Sequence, residues 1–405
     1  MTTPTHASRA SSAPRSSAVV GVEPGRIVAP ADEEELSETL RDASSGQRGV
    51  VVTCNATKLD FGGAPTRLDF RVELGELAPL LQHSAGDLVV RAGASLRFED
   101  LTSELAKAGQ RLSIEEVVPG SSVGGVVATA LAGPLRYRYG SVRDLILGAR
   151  FVRADGQSAK AGGSVVKNVA GYDVAKLLCG SHGTLAVLTE CIFRLHPIPR
   201  RAMTVNAELP MAIAASRAQA VARSNLDVAA IEYNHESGTS TLSVLVEGSV
   251  EGAERRAAAV AELLCPDVAP GAARLEAEPP SWWGSLPGET VLKATFAPGE
   301  ADRALQGIRE RTDDAFVVRG SIGVGTLSIG VPAETTTGAL AELVAGLRPF
   351  FKALGGTVQL LRGTPEQKAS VDMFGPVAAL DLMARIKAQF DPAGVLGPGR
   401  FVGGW

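Results

Sequence analysis

The chain has 405 residues, 45% of them apolar and 21% charged, enough to fill two or three domain cores at about 150 residues each. A net charge of −4 gives no electrostatic footprint for nucleic acid, and no window nears the ~18 apolar residues of a membrane-spanning helix. Glycine is abundant at 45 residues, but the glycines fall at turns between regular apolar segments rather than in repeats, which argues against a low-complexity chain.

Residues 1–20 are rich in Ser, Thr, Ala and Pro and contain no acid; they read as a disordered tail. Asp32 then offers an N-cap, with Leu36, Leu40 and Ala43 on one helical face. Gly49–Thr53 is a β-branched run suited to a buried strand. A strand at 88–92, a helix over Phe98–Lys107 stopped by Gly109, and a strand from Leu112 follow. That strand runs into PGSSVGGVVATALAG at 119–133. Strand-like residues 144–154 meet Asp155-Gly156, a hairpin signal, and a short helix at 173–178 precedes an alternating strand at 184–195.

Pro197 and Pro199 mark a boundary near residue 200. Beyond it the pattern reads strand 202–209, helix 211–224, strands 228–233 and 240–247, helix 250–264. After a loop with Trp282-Trp283 it reads strand 289–297, helix 300–311, strands 315–320 and 324–331, helix 335–354, strand 356–361. Both runs follow the split βαββα order of ferredoxin-like units. A helix over 377–390 leads to the terminal FDPAGVLGPGRF.

Chemistry-bearing motifs are sparse. No G-x-G-x-x-G follows a strand and no P-loop occurs, so nucleotide binding by those routes lacks support. Cys54, Cys179, Cys191 and Cys265 form no C-x-x-C pair, and the five histidines show no paired spacing. Reduced thiols in a cytoplasmic protein, with no metal site built by this chain alone, are the expectation. Gly120–Gly125 joins a strand to a helix rich in small residues; alone it fits a tight turn as readily as an anion site.

The combination of segments is more specific. Pro119–Ala128 echoes P-x-x-A-T-I-G-G-x-x-A, Arg138–Gly148 echoes R-x-Y-G-S-x-x-D-x-V-L-G, Gly171–Glu190 matches a G-Y-D-L…G-S-x-G-T-L-G-I-x-T-E stretch, and Asp391–Gly399 echoes D-P-x-G-x-x-N-P-G. The chain therefore resembles the PCMH-type FAD-binding superfamily of vanillyl-alcohol oxidases and p-cresol methylhydroxylases. Within it, residues 162–190 and KLDFGG at 58–63 are most similar to the FAD-binding subunits of glycolate oxidases.

That resemblance implies an α+β fold: a FAD domain of two α+β subdomains at 21–200, a cap-like α+β domain at 201–372, and a segment at 373–405 returning to the first. It implies non-covalent FAD, its pyrophosphate wrapped by the backbone of Thr53, Cys54, Asn55, Ala56 and Thr57. Pro119, Ser122, Val123, Gly124 and Gly125 would meet pyrophosphate and flavin edge, with Ala128 and Thr129 behind them. Val187 would give its backbone to the adenine, and Pro398 and Gly399 would close over the isoalloxazine.

Three departures bear on this assignment. Cys54, Asn55 and Ala56 replace glycines of the usual R-G-G-G-T loop, and Asn tolerates positive φ while Ala does not. Gly397-Pro398-Gly399 replaces N-P-G, and Ala186 replaces a glycine. The cap also lacks the H-x-x-D-x-N-x-H motif with which catalytic relatives hold a metal at the substrate. The expectation is thus an oxidoreductase subunit of a glycolate oxidase (dehydrogenase) complex, inactive alone and with no catalytic residue of its own. Its partners would be a larger catalytic flavoprotein and an iron–sulfur subunit, with membrane association only through the complex. The alternatives are a structural subunit with degenerate FAD binding, or a stand-alone FAD-linked oxidase of another hydroxy acid or alcohol. His182 reads as a loop-surface position and Cys54 as a small buried thiol. Arg136, Arg138 and Arg143 read as equally suited to neutralising anions or to solvent, and Trp282-Trp283 as packing against the second domain.

Overall fold

The computed structural model describes residues 17–77, 80–163, 172–266 and 273–405. The expectations for residues 1–16 and for 164–171 of the glycine-containing stretch lie outside them. Residues 17–20, placed in the tail on composition, are held instead. Val19 is fully buried with Val51 and Leu68, and its backbone pairs with that of Val22.

Strands β1 (Arg26–Val28), β2 (Val50–Thr53) and β3 (Phe70–Glu73) make a parallel sheet in the order β1-β3-β2. Helix α1 (Glu33–Ser45) connects β1 to β2. It begins where the Asp32 carboxylate accepts from the Glu35 amide at 2.9 Å, and three glutamates fill its first turn at the positive end of the dipole. Leu36, Leu40 and Ala43 form its buried face.

Next come β4 (Leu81–Ser84), β5 (Val89–Gly93), α2 (Phe98–Lys107), β6 (Gln110–Arg111), α3 (Val123–Thr129), α4 (Arg136–Tyr139), α5 (Val142–Leu145), β7 (Ile146–Arg153), β8 (Ser158–Gly162), α6 (Val174–Leu178), β9 (Ala186–Arg194) and β10 (His196–Pro197). Five of these strands form an antiparallel sheet ordered β4-β5-β9-β7-β8. The Asp155-Gly156 turn closes the β7–β8 hairpin with Gly156 at φ +78°, a conformation that favours glycine. The strand expected from Leu112 lies earlier: β6 pairs with β10, while Leu112 and Ile114 are core residues outside any strand.

The remaining strands form one antiparallel sheet. They are β11 (Arg201–Glu208), β12 (Ala230–Glu236), β13 (Thr239–Gly248), β14 (Ala273–Glu276), β15 (Thr290–Thr295), β16 (Val317–Gly320), β17 (Thr326–Val331) and β18 (Val358–Arg362). Their order is β14-β11-β13-β12-β16-β17-β15-β18. Read outward from the β12–β16 seam, the halves run β12, β13, β11, β14 and β16, β17, β15, β18, the same topology twice. One face buries Ile231, Tyr233, Leu242, Val244, Leu292, Leu327 and Ile329 against α7 (Met211–Arg223), α8 (Val250–Leu264), α9 (Ala301–Arg309) and α10 (Thr337–Ala353). Across the other, Asn234 pairs with Arg319, Arg319 with Ser328, and Ser328 with Lys293. Directly opposed residues share a face, so this row is a polar stripe across four strands.

The cap sheet is tied down by Glu247 on β13. It is 3% exposed in its side chain and accepts from both terminal nitrogens of Arg111 at 2.7 Å and from the Tyr139 hydroxyl at 2.9 Å. Trp283 packs with Leu135, Ala230 and Leu245 at the same seam, as the sequence suggested. After α11 (Pro365–Ser370) and α12 (Leu380–Phe390) the tail returns to the first sheet. The Val50 amide donates to the Val395 carbonyl at 2.7 Å, and the Gly397 amide to the Val50 carbonyl at 2.8 Å. No helix among the described residues is long and apolar enough to cross a membrane.

Candidate functional site

A cleft with about 940 Å³ of empty space starts at the end of β2, passes the first turn of α3 and the 181–183 loop, and reaches the C-terminal tail. Thr53, Cys54, Asn55, Ala56, Thr57, Ser122, Gly124, Gly125, Ala128, Thr129 and Val187 all line it. Four of the expected residues do not. Pro119 is exposed, and Val123 is 1% exposed in the core of the five-stranded sheet. Pro398 and Gly399 turn towards the 64–66 loop, where the Thr66 amide donates to the Pro398 carbonyl at 2.9 Å. Their neighbours Gly397 and Arg400 reach the cleft instead.

The two walls differ in their donors. Val123 donates its amide to the Leu96 carbonyl and Gly124 to that of Ala94, both at 2.9 Å, while the Gly125 amide is capped by the Ser122 hydroxyl at 3.1 Å. The first turn of α3 therefore contributes shape rather than open amides. On the facing loop, the amides of Cys54, Ala56 and Thr57 donate to no acceptor among the described residues. Beside them the Thr53 hydroxyl is buried without a hydrogen-bond partner. A run of unpaired donors lining one cleft is suited to cradle an anion.

The glycine replacements resolve residue by residue. Asn55 does not take the positive φ; Ala56 does, at +53°. Ala56 thus holds a glycine-like shape against its own Cβ, contrary to the expectation that Ala would not. Asn55 instead donates through Nδ2 to the Gly120 carbonyl at 2.9 Å, pinning the loop to the turn before α3. The Cys54 sulfur lies 3.7 Å from the Ala94 carbonyl oxygen, and burial pushes its thiol pKa up, so it stays a neutral thiol.

Sequence reasoning missed the cations around this cleft. Lys58 hydrogen-bonds Ser121 Oγ, and burial draws its pKa down to about 8, opposed by Glu116. The Arg400 guanidinium donates to the carbonyls of Leu59, Phe61 and Gly63 at 2.6–3.0 Å, and Lys368 donates to those of Asp60 and Gly62. The KLDFGG segment is therefore clamped through its carbonyls from the tail and from the cap. His182 is no surface residue. It lines the cleft, stacks on Phe401 at 5.0 Å and meets Phe374 edge-on. Burial, then the charges of Arg400, Lys293 and Lys368, bring its pKa down to about 4, so the imidazole is neutral at pH 7.

A second chamber, with about 470 Å³ of empty space, lies between the cap's polar stripe and the loop leading into α4; Arg136, Glu232, Arg319 and Ser328 are among its walls. Arg136 and Lys293 make no ion pair among the described residues, whereas Arg138 pairs with Asp227 at 2.9 Å and Arg143 is exposed. Burial, then Arg136, depresses Lys293. Glu232 accepts from Ser321, and burial pushes its pKa up to about 8. Glu115, beneath the seam, is raised to about 7 by burial.

Comparison with known proteins agrees with this geometry. Residues 24–174 match the family model described as FAD binding domain. The chain is 26% identical to the FAD-linked oxidoreductase Rv2280 of Mycobacterium tuberculosis, over 93% of this chain and 90% of that one. It is 35% identical to glycolate oxidase subunit GlcE of Escherichia coli, over 44% of this chain and 51% of that one. To D-lactate dehydrogenase of Archaeoglobus fulgidus it is 32% identical, over 44% and 40%. The alkyldihydroxyacetonephosphate synthase structure shares the fold, with a TM-score of 0.64 at 16% identity, covering 92% of this chain and 75% of that one. The unpaired amides and the orphaned Thr53 hydroxyl fit the diphosphate of FAD. Residues 24–174 thus form a PCMH-type FAD-binding domain, and the chain is similar to FAD-linked oxidoreductases, among them a glycolate oxidase subunit and a D-lactate dehydrogenase.

Proposed function

We propose that this chain is the FAD-binding subunit of a complex that oxidises a small 2-hydroxy acid of the glycolate class, beside a larger flavoprotein subunit and an iron–sulfur subunit. The chamber carries the reading: Arg136 lines it, and Lys293, opposite Ser328 on the cap's polar stripe, lies within electrostatic range of Arg136 and of His182 in the cofactor cleft, neither cation making an ion pair among the described residues. A substrate carboxylate is the anion that would satisfy both charges, whereas a neutral alcohol would leave them unpaired and desolvated. Bound FAD supplies the two-electron acceptor; the chain's own part is to hold the carboxylate with these cations and to cover it with the cap sheet. The partners are inferred from the 35% identity to the glycolate oxidase subunit in the FAD half.

A second reading, a stand-alone hydroxy-acid oxidoreductase, is favoured by one observation: the likeness to an FAD-linked oxidoreductase runs over 93% of this chain and 90% of that one, the cap included. Purifying the tagged chain with the products of adjacent genes, and without them, then measuring glycolate-dependent dye reduction, separates the two. Activity is expected in the complex, with less than a tenth of it in the chain alone. Arg136→Met or Lys293→Met should raise KM about tenfold, the loss of one charged contact worth about 1.4 kcal/mol. Full turnover by the isolated chain overturns the subunit reading in favour of the second, and a complex inert to every 2-hydroxy acid overturns both.

A further inference from the structure

We propose that Lys58 is the cationic anchor of the FAD diphosphate, its ammonium meeting the phosphates opposite the Thr53–Thr57 amides. Lys58 follows that loop directly and lines the same cleft. Its side chain crosses to the first turn of α3. Cε and Nζ lie 3.4 and 3.5 Å from where a Cβ on Gly125 would stand, so the lysine packs against this wall in van der Waals reach of residue 125.

Three observations single it out. The α3 amides, the obvious alternative donors, are already bound to the backbone at Ala94 and Leu96 and to Ser122. Arg400, another cation on the cleft wall, has its guanidinium committed to three carbonyls. Among the described residues Lys58 is held by the Ser121 hydroxyl alone, with no carboxylate within ion-pair distance. A dianionic diphosphate is the natural partner for a compact, poorly solvated ammonium. Its surroundings leave that charge available. Glu116 faces it from the loop before α3, but one Glu116 oxygen already accepts from the Ser121 amide at 2.7 Å, and Cys54, on its own loop, is kept protonated by burial.

The test is titration of the full-length apoprotein with FAD and, in parallel, with riboflavin, which carries the ring but no phosphate. At pH 7.5, Lys58→Met should weaken FAD at least tenfold and leave riboflavin within twofold, while Lys58→Arg should stay within about threefold of the unmodified chain. Equal weakening of both flavins would place Lys58 at the ring or in the fold and overturn the proposal, as would an unchanged FAD affinity. The unmodified protein gives an independent reading that needs no variant to fold. Below the unliganded pKa of about 8 the ammonium is already charged and affinity is flat. Between pH 8 and 9.5 binding must take up a proton, so Kd for FAD should rise severalfold while that for riboflavin does not. Lys58→Arg, charged throughout, should abolish the rise. A flat FAD profile in the unmodified chain overturns the assignment.

Discussion

The loop Thr53–Thr57 and the first turn of α3 face each other over one cleft, yet the amides of Cys54, Ala56 and Thr57 have no acceptor among the described residues while those of Val123 and Gly124 are bound to the backbone at Leu96 and Ala94. From sequence both read as short, glycine-related turns that follow a strand, and both suggest a phosphate site. The difference lies in what packs behind them. The loop has open space in front of its amides, whereas α3 is pressed onto the chain leaving β5, and its donors complete that contact. A glycine-rich helix start is thus evidence of close approach, and the partner approached can be backbone rather than ligand.

Substitutions can break or sharpen this contrast. The largest effect is expected at Gly124, where a Cβ would stand 2.9 Å from the Ala94 Cβ and 3.1 Å from its carbonyl oxygen. Gly124→Val should cost about 1–3 kcal/mol of folding stability as overpacking, read by urea denaturation of the apoprotein. Loss of FAD binding with unchanged stability would show that α3 faces ligand there after all. Gly125→Val acts on the other side of the same turn, against Ser122 Oγ and Lys58. It should leave stability within about 1 kcal/mol but weaken FAD roughly tenfold, about 1.4 kcal/mol, by displacing the lysine. Retention of full affinity would place the cofactor away from this wall.

The smallest effect is expected at Ala56. Its left-handed conformation is part of the folded loop and costs of order 1 kcal/mol. Relief by Ala56→Gly is offset by the roughly 0.4–1 kcal/mol that glycine adds to unfolded-chain freedom. Stability should therefore change by less than about 1 kcal/mol, and the Kd for FAD by less than twofold, because the strain is present before FAD binds. A large gain in affinity would mean that the loop reshapes on binding and that its shape is induced rather than built in.

The legible parts of the molecule were those set by local chemistry. The N-cap at Asp32, the β-branched run of β2 and the Asp155-Gly156 turn each act within a few residues, and each appears where the pattern places it. The cap's two βαββα runs were equally visible, because alternation reports which side of a strand is buried. β1, β3, β4 and β14 escaped notice: three or four residues of mixed polarity carry too few periods to read. Within the cleft, the loop and Val187 could be placed by likeness, but His182 could not. Its neighbours Phe374 and Phe401 are nearly 200 residues away or more, so nothing around it in sequence signals burial.

The sequence by itself determined the order of helices and strands, the position of the glycine turns and the resemblance that pointed to FAD, because each depends on short-range sterics or on a contiguous motif. Only the tertiary structure decided that the two cap halves join through β12 and β16 into a single sheet, since a strand's residues specify its buried face and not which edge will pair. Only it decided, too, that Arg400 and Lys368 clamp the carbonyls of residues 59–63 while Lys58 is left facing the cleft. A long cationic side chain goes to whichever acceptors the fold brings within its reach, and those acceptors lie more than 300 residues from the cations that bind them.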